Sequence, residues 1–153
     1  MAQTKKGRIK IIYKLKFNSI IMKKILMLVL ITIVSFSYGQ SSESFLRRGL
    51  KNYNLEKYKE AILDCTKAIK LDPKNIDAYI IRGESKGQLQ NFKSAIDDFT
   101  KAITLSPNNK IAYYNRGYCR LFLNQKESAC LDWSKASKLG LTLANDLIKN
   151  NCN

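Results

Sequence analysis

Two hydrophobic patterns divide the chain. Residues 25–36, ILMLVLITIVSF, form an unbroken apolar run of 12 residues. From residue 42 onward, apolar residues instead recur at the three- and four-residue spacing of amphipathic helices. This spacing, with the positions of Gly and Pro, predicts seven helices. They lie near residues 42–53, 57–70, 76–88, 92–105, 110–123, 126–138 and 142–150. The last helix places Leu143, Ala144, Leu147 and Ile148 on one face.

A secretory signal peptide is indicated by residues 22–39. A positively charged stretch precedes the apolar run, and that run is shorter than the ~20 residues that span a bilayer. Ser37 and Gly39 supply the small residues that a signal peptidase requires. We therefore expect cleavage between Gly39 and Gln40, with export to the periplasm or the cell surface, and an upstream extension over residues 1–21. The alternative is an uncleaved membrane anchor.

The region after the signal segment is repetitive. Segments 46–73, 80–107 and 114–141 align without a gap at an offset of 34 residues. The first two segments share 13 of 28 residues, and eight positions are identical in all three. Such a fixed period predicts an array in which each unit packs on its neighbours. In the first segment the eight positions are Arg48, Gly49, Leu55, Ala61, Asp64, Lys67, Ala68 and Leu71.

The repeat resembles the tetratricopeptide repeat, a helix-turn-helix unit, over residues 42–143. The family's pattern is a bulky residue, a small residue, an Ala, an aromatic residue, a second Ala and a Pro. In this chain it is met by Phe45, Gly49, Ala61, Cys65, Ala68 and Pro73, by Tyr79, Gly83, Ala95, Phe99, Ala102 and Pro107, and by Tyr113, Gly117, Ala129, Trp133, Ala136 and Leu141. Cys65 and Leu141 depart from the pattern, as does Lys126 in the column of Tyr58 and Phe92.

This resemblance implies an all-α, right-handed superhelical solenoid. Three helix hairpins at 42–75, 76–109 and 110–143 would fill residues 40–143, and residues 144–153 would form a capping helix and the C-terminus. Independently of the resemblance, Gly49 and Ala61 are small where two helices must approach closely. A cap is required because the last hairpin otherwise exposes an apolar face.

An arginine and an aspartate recur at equivalent positions in all three repeats. Each Arg and its Asp lie at nearly equal distances from the predicted turn, so the two side chains are expected to meet across each hairpin. Three equivalent copies indicate a structural ladder of partly exposed ion pairs, each contributing on the order of 0.2 to 1 kcal/mol, and not catalytic carboxylates. The pairs are Arg48 with Asp64, Arg82 with Asp98 and Arg116 with Asp132.

Four cysteines follow the signal segment, and their spacing fits no zinc site. Cys65 takes the column of buried aromatics and is predicted to be a core residue. Cys130 and Cys152 lie at ends that two antiparallel helices would bring together, and their disulfide is favoured in an oxidising compartment. A Cys119–Cys130 bond is the alternative, since connectivity cannot be fixed from sequence.

Charge and composition change the picture little. The net charge of +15 comes partly from eight cations in the first 24 residues, and from Gln40 onward 19 cations face 12 acids. These cations are spread over all helices, so a nucleic-acid partner is not predicted. The chain has no His, which removes His-based triads and the common zinc motifs. We predict neither a cofactor nor a metal, and no catalytic residue.

The resemblance points to the concave face as the functional surface. In the family this face is lined by the first helix of each hairpin and normally accepts a peptide or a helix. The corresponding residues are Leu46, Leu50, Tyr53, Ile80, Glu84, Gln88, Tyr114, Tyr118, Leu121 and Phe122. A competing interpretation is that these residues stabilise the array, with Leu121 and Phe122 packed against the cap.

The family subclass that grips a C-terminal carboxylate uses Lys, Asn and Arg in this groove. The equivalent positions hold Leu46, Leu50, Ile81, Ile111 and Asn115, which disfavours such a cochaperone. The sequence therefore predicts a monomeric, non-catalytic interaction module with a protein or peptide partner, exported to the cell envelope. The alternatives are a membrane-tethered adaptor held by its N-terminal segment, and an accessory domain of an envelope enzyme or a thiol-active protein using Cys119 or Cys130.

Overall fold

The computed structural model describes residues 20–31 and 41–152. Residues 20–31 are helical (α1) and belong to a separate unit, Met1–Gln40, with exposed apolar side chains in the helix. Among the described helices, none has the length and apolarity needed to cross a membrane. The remainder of the predicted apolar run and the predicted cleavage site lie outside the described residues.

The second unit, Ser41–Asn153, is built from antiparallel helix pairs. Each pair packs on the next, and α8 closes the array against α7. The described residues of this unit contain no strand, and the predicted all-α solenoid of three hairpins with a cap is confirmed. Its helices are α2 (Ser42–Asn54), α3 (Tyr58–Leu71), α4 (Ile76–Gln88), α5 (Phe92–Leu105), α6 (Lys110–Phe122), α7 (Lys126–Lys138) and α8 (Leu143–Asn151).

The first helix of each hairpin begins at a side-chain cap. Ser41, Asn75 and Asn109 each accept a hydrogen bond from the backbone N–H three residues later, which satisfies a donor that the helix leaves free. Helix α3 ends at Leu71 and helix α5 ends at Leu105. In each case the next residue precedes a proline, Pro73 or Pro107, and the helical conformation is disfavoured for a residue before proline.

The third hairpin ends differently because Leu141 replaces the proline. Gly140 adopts a φ of +86°, a left-handed conformation that glycine tolerates. The Leu141 N–H then donates to the Ala136 carbonyl at 3.0 Å, and the Gly140 N–H donates to the Ser137 carbonyl at 2.8 Å. This Schellman-type ending turns the chain into α8.

Inside each hairpin, a glycine on the first helix faces the large column residue of the second. A Cβ on Gly83 would stand 2.8 Å from the Phe99 ring, and a Cβ on Gly117 would stand 2.7 Å from the Trp133 ring nitrogen. Neither contact is sterically possible. The predicted close approach is therefore confirmed, and Cys65 fills the same core position against Gly49.

The Arg–Asp ladder is present, and two of its three pairs are more buried than expected. Asp98 and Asp132 are 4% and 3% exposed, and each binds two cations. Lys86 supplements Arg82, and Arg120 supplements Arg116, because these cations lie one helical turn further along the same face. These two pairs thus belong to the interior, where losing one partner leaves a buried charge unpaired. In the first pair, the Arg48 side chain is 52% exposed, as expected of a partly exposed ion pair.

The cap is held by an apolar face that differs from the predicted one. Ala144 is fully buried, and Leu147 and Ile148 pack against the cluster around Trp133. Leu143 is 63% exposed, so it does not belong to this face. It is the first residue of α8.

Candidate functional site

Two of the hollows among the described residues lie between the first helices of successive hairpins. The larger has a volume of about 480 Å³ and lies mainly between α4 and α6, with Tyr53 from the end of α2. The smaller has a volume of about 230 Å³ and lies between α2 and α4. Of the predicted groove residues, Tyr53, Glu84, Gln88, Tyr114, Tyr118 and Phe122 line the larger hollow, and Leu46, Leu50 and Ile80 line the smaller. We call the larger hollow the aromatic groove.

Leu121 does not belong to the groove. Its side chain packs against the buried cluster that contains Ala129, Trp133 and Ala144. Successive helical residues point about 100° apart, so the face that carries Phe122 into the groove turns Leu121 toward α7 and the cap. The prediction for Leu121 was therefore wrong, and the competing interpretation holds for that residue.

One wall of the aromatic groove is a set of touching rings. Phe92, at the start of α5, stacks on Phe122 with ring centroids 4.7 Å apart. The Tyr118 ring centroid lies 4.9 Å from that of Phe122. Tyr118 and Phe122 are 46% and 52% exposed, so this wall is accessible to a partner. Phe92 was not predicted as a groove residue, because it belongs to a second helix and not to the first helices on which the prediction rested.

The aromatic groove also contains a polar pair. Asn115 Nδ2 donates a hydrogen bond of 2.7 Å to Glu84 Oε1. Burial raises the pKa of Glu84, and the hydrogen bond from Asn115 lowers it in part. The pKa of Tyr53 is raised as well, first by burial and then by the negative charge of Glu84. A carboxylate is thus held inside an otherwise neutral hollow.

The cysteines separate into a joined pair and two buried thiols. Cys130 and Cys152 lie at disulfide-bonding distance, with Cα atoms 5.7 Å apart. Cys65 and Cys119 are buried, and burial raises their thiol pKa values to about 12 and about 11. Cys119 is therefore protonated at neutral pH and shielded from solvent, which argues against its use as a nucleophile.

Fold and groove together define an α-helical repeat protein with an open hollow along the first helices of its hairpins. Tetratricopeptide repeat family models match residues 42–75, 76–109 and 99–130. These matches span more than half of the chain, which therefore belongs to the tetratricopeptide repeat family. The comparison with curated proteins found no match.

Several solved structures are similar to this chain. The first TPR of Spaghetti (RPAP3), bound to the HSP90 peptide SRMEEVD, has 27% identity and a TM-score of 0.71, and covers 74% of this chain and 92% of its own. The Arabidopsis OM64 TPR domain has 30% identity and a TM-score of 0.69, with coverages of 71% and 92%. The second TPR domain of human RPAP3, in complex with the HSP70 peptide SGPTIEEVD, has 26% identity and a TM-score of 0.70, with coverages of 73% and 95%.

Proposed function

We propose that the chain is a non-catalytic interaction module that binds an extended peptide or a helix of a partner protein in the aromatic groove. The exposed ring wall of Tyr118 and Phe122 carries this proposal. Aromatic side chains that stay accessible beside a hollow of about 480 Å³ are the usual anchors of peptide recognition. Similar folds bound to HSP90 and HSP70 peptides support a peptide ligand.

We do not propose that the chain binds the C-terminal carboxylate of its partner. The equivalent positions are apolar except for Asn115, and the Asn115 side chain already donates to Glu84. Ile81 is largely buried, and its apolar side chain offers no hydrogen-bond donor to a carboxylate. A C-terminal carboxylate would meet no cation at these positions, and it would meet a carboxylate at Glu84 instead.

Truncating Tyr118 is expected to weaken peptide binding at least about tenfold, or ~1.4 kcal/mol, because a central anchor is removed. The fold should survive, since the ring is half exposed and contacts Phe122 at the groove surface. A peptide selected from a display library on the purified protein serves as ligand, and calorimetry measures its affinity for wild type and Tyr118→Ala.

Lys135→Ala, an exposed change on α7, is the control and should bind as wild type does. A folded Tyr118→Ala protein with unchanged affinity would refute the groove as the binding surface. Unfolding of Tyr118→Ala, seen by circular dichroism, would make Tyr118 a structural residue.

We further propose that the protein is exported to the cell envelope after removal of residues 22–39 together with anything before them. The short apolar run, the small residues before Gln40 and the paired cysteines support this. Mass spectrometry of the exported protein is expected to find Gln40 at the N-terminus. A processed species that retains residues 25–36 would instead favour the membrane-tethered adaptor.

The Cys130–Cys152 disulfide is proposed to fix α8 onto α7. Cys152→Ser is expected to lower the free energy of unfolding by about 2 to 4 kcal/mol, because the bond closes a loop with a sequence separation of 22. Urea denaturation of oxidised protein measures the loss. Reductant should destabilise wild type to the same extent and leave Cys152→Ser unchanged. A wild-type protein insensitive to reductant would contradict the bond.

A further inference from the structure

Glu84 differs from every other carboxylate in residues 41–152. The buried acids Asp64, Asp98 and Asp132 each pair with a cation, and the remaining acids apart from Glu84 are exposed. Glu84 is half-buried, and the ion pairs found among these residues do not include it. Its hydrogen-bond partner is the neutral amide of Asn115. The charge of Glu84 is therefore uncompensated.

The repeat does not require this carboxylate. At the positions 34 residues before and after Glu84 stand Leu50 and Tyr118. Those equivalent to Asn115 hold Ile81 and Arg47. The Arg–Asp ladder recurs in all three hairpins and serves the fold, whereas the Glu84–Asn115 pair occurs once, in the groove. A feature that the fold does not repeat and that costs desolvation is explained best by a ligand.

The surroundings of Glu84 suit a cation. The described residues that line the aromatic groove include no Lys or Arg, and Glu84 is the charged residue among them. Tyr53, Tyr114 and Tyr118 present rings to the same hollow. Aromatic faces attract cations through the ring quadrupole, and this attraction grows when water is excluded. The hollow thus combines a half-buried carboxylate with aromatic walls.

We propose that the aromatic groove takes a lysine or arginine side chain of the partner peptide, with its cation against the Glu84 carboxylate and its aliphatic stem along Tyr118 and Phe122. The inference rests on the proposed function and specifies its ligand as a basic peptide. Asn115 occupies Oε1 of Glu84 and holds the carboxylate in place, which makes Asn115 a positioning residue.

The charge of Glu84 is expected to lower the stability of the protein when no ligand is bound. Because burial raises the pKa of Glu84, its ionised form is disfavoured by folding, and stability is lost as pH rises through that pKa. Glu84→Gln keeps the acceptor for Asn115 without the charge, so its Tm at pH 7 should exceed that of wild type. Tyr53, Tyr114, Tyr118 and Cys119, the other titratable groups lining the hollow, are common to both proteins.

The test uses three blocked pentapeptides of alanine that carry a central arginine, citrulline or glutamate. Citrulline has nearly the shape of arginine without its charge. Amide chemical shifts of the labelled protein are followed by NMR during titration. We expect the arginine peptide to shift the amides of α4 and α6, and the other two to bind at least about tenfold more weakly. Glu84→Gln should weaken arginine binding by a similar factor. Glu127→Gln, an exposed change on α7, should leave it intact.

Equal binding of the arginine and citrulline peptides would overturn the inference, as would absence of shifts with all three. Preference for the acidic peptide SGPTIEEVD, which has no Lys or Arg, would overturn it as well if that preference increases in Glu84→Gln. In that case, loss of SGPTIEEVD binding in Tyr118→Ala would leave the groove function standing. If the affinity of a library-selected peptide is unchanged in Tyr118→Ala, the groove function itself fails, and not only the inference about Glu84.

Discussion

Replacing Trp133 by alanine is expected to lower the free energy of unfolding by about 3 to 5 kcal/mol, the largest effect of any single truncation in this core. The side chain is fully buried and lies over Gly117. Its Nε1 donates a hydrogen bond of 3.1 Å to the Tyr114 carbonyl. Removing the ring leaves a cavity between α6 and α7, and α8 loses the surface on which Leu147 and Ile148 pack.

Trp133→Phe is the matched control, since it fills most of the cavity and loses the hydrogen bond. It should cost clearly less than the alanine variant. Both variants lack the one Trp of the chain and therefore have no tryptophan fluorescence. Unfolding in urea is followed by circular dichroism instead. A loss below about 1 kcal/mol in Trp133→Ala would contradict the position of Trp133 at the centre of the last hairpin.

Replacing Asp98 by alanine is expected to cost about 3 to 5 kcal/mol, because two cations would remain in the interior without a counter-charge. Arg82 and Lys86 have side chains only 16% and 17% exposed. Asp97→Ala, an exposed change in the preceding residue, should alter stability by less than about 0.5 kcal/mol. Urea denaturation measures both variants. A cost for Asp98→Ala as small as that of Asp97→Ala would mean that the ladder behaves as a set of surface ion pairs.

The fold was predictable because the repeat signals act locally. A fixed period of 34 residues places each helix, and Pro73 and Pro107 mark where α3 and α5 end. The antiparallel arrangement of helices brings Cys130 to Cys152, as the structure shows. These inferences require only a helix's own sequence and its immediate neighbour in the chain.

The sequence alone could not predict how deeply the Arg–Asp pairs are buried or which residues line the groove. Helical periodicity assigns a residue to a face, but it does not say which neighbouring helix covers that face. For this reason, Leu121 was wrongly predicted to line the groove, and Leu143 was wrongly predicted to lie on the apolar face of the cap. Lys86 and Arg120 were not recognised as second partners of Asp98 and Asp132, because they lie one turn beyond the recurring arginines.

The Glu84–Asn115 pair joins residues 31 positions apart, from successive repeats. The sequence places both residues on first helices, but their meeting depends on how α4 packs against α6. Glu84 is nevertheless the one acid in its repeat position, between Leu50 and Tyr118, and this difference is visible in the sequence.

Amide hydrogen exchange with and without a library-selected peptide tests the concave groove most directly. We expect the peptide to slow exchange in α4 and α6, whose residues line the aromatic groove, and to leave α3 and the exposed face of α7 unchanged. Slowed exchange confined to α3 and α7 would place the ligand on the opposite face and contradict the account.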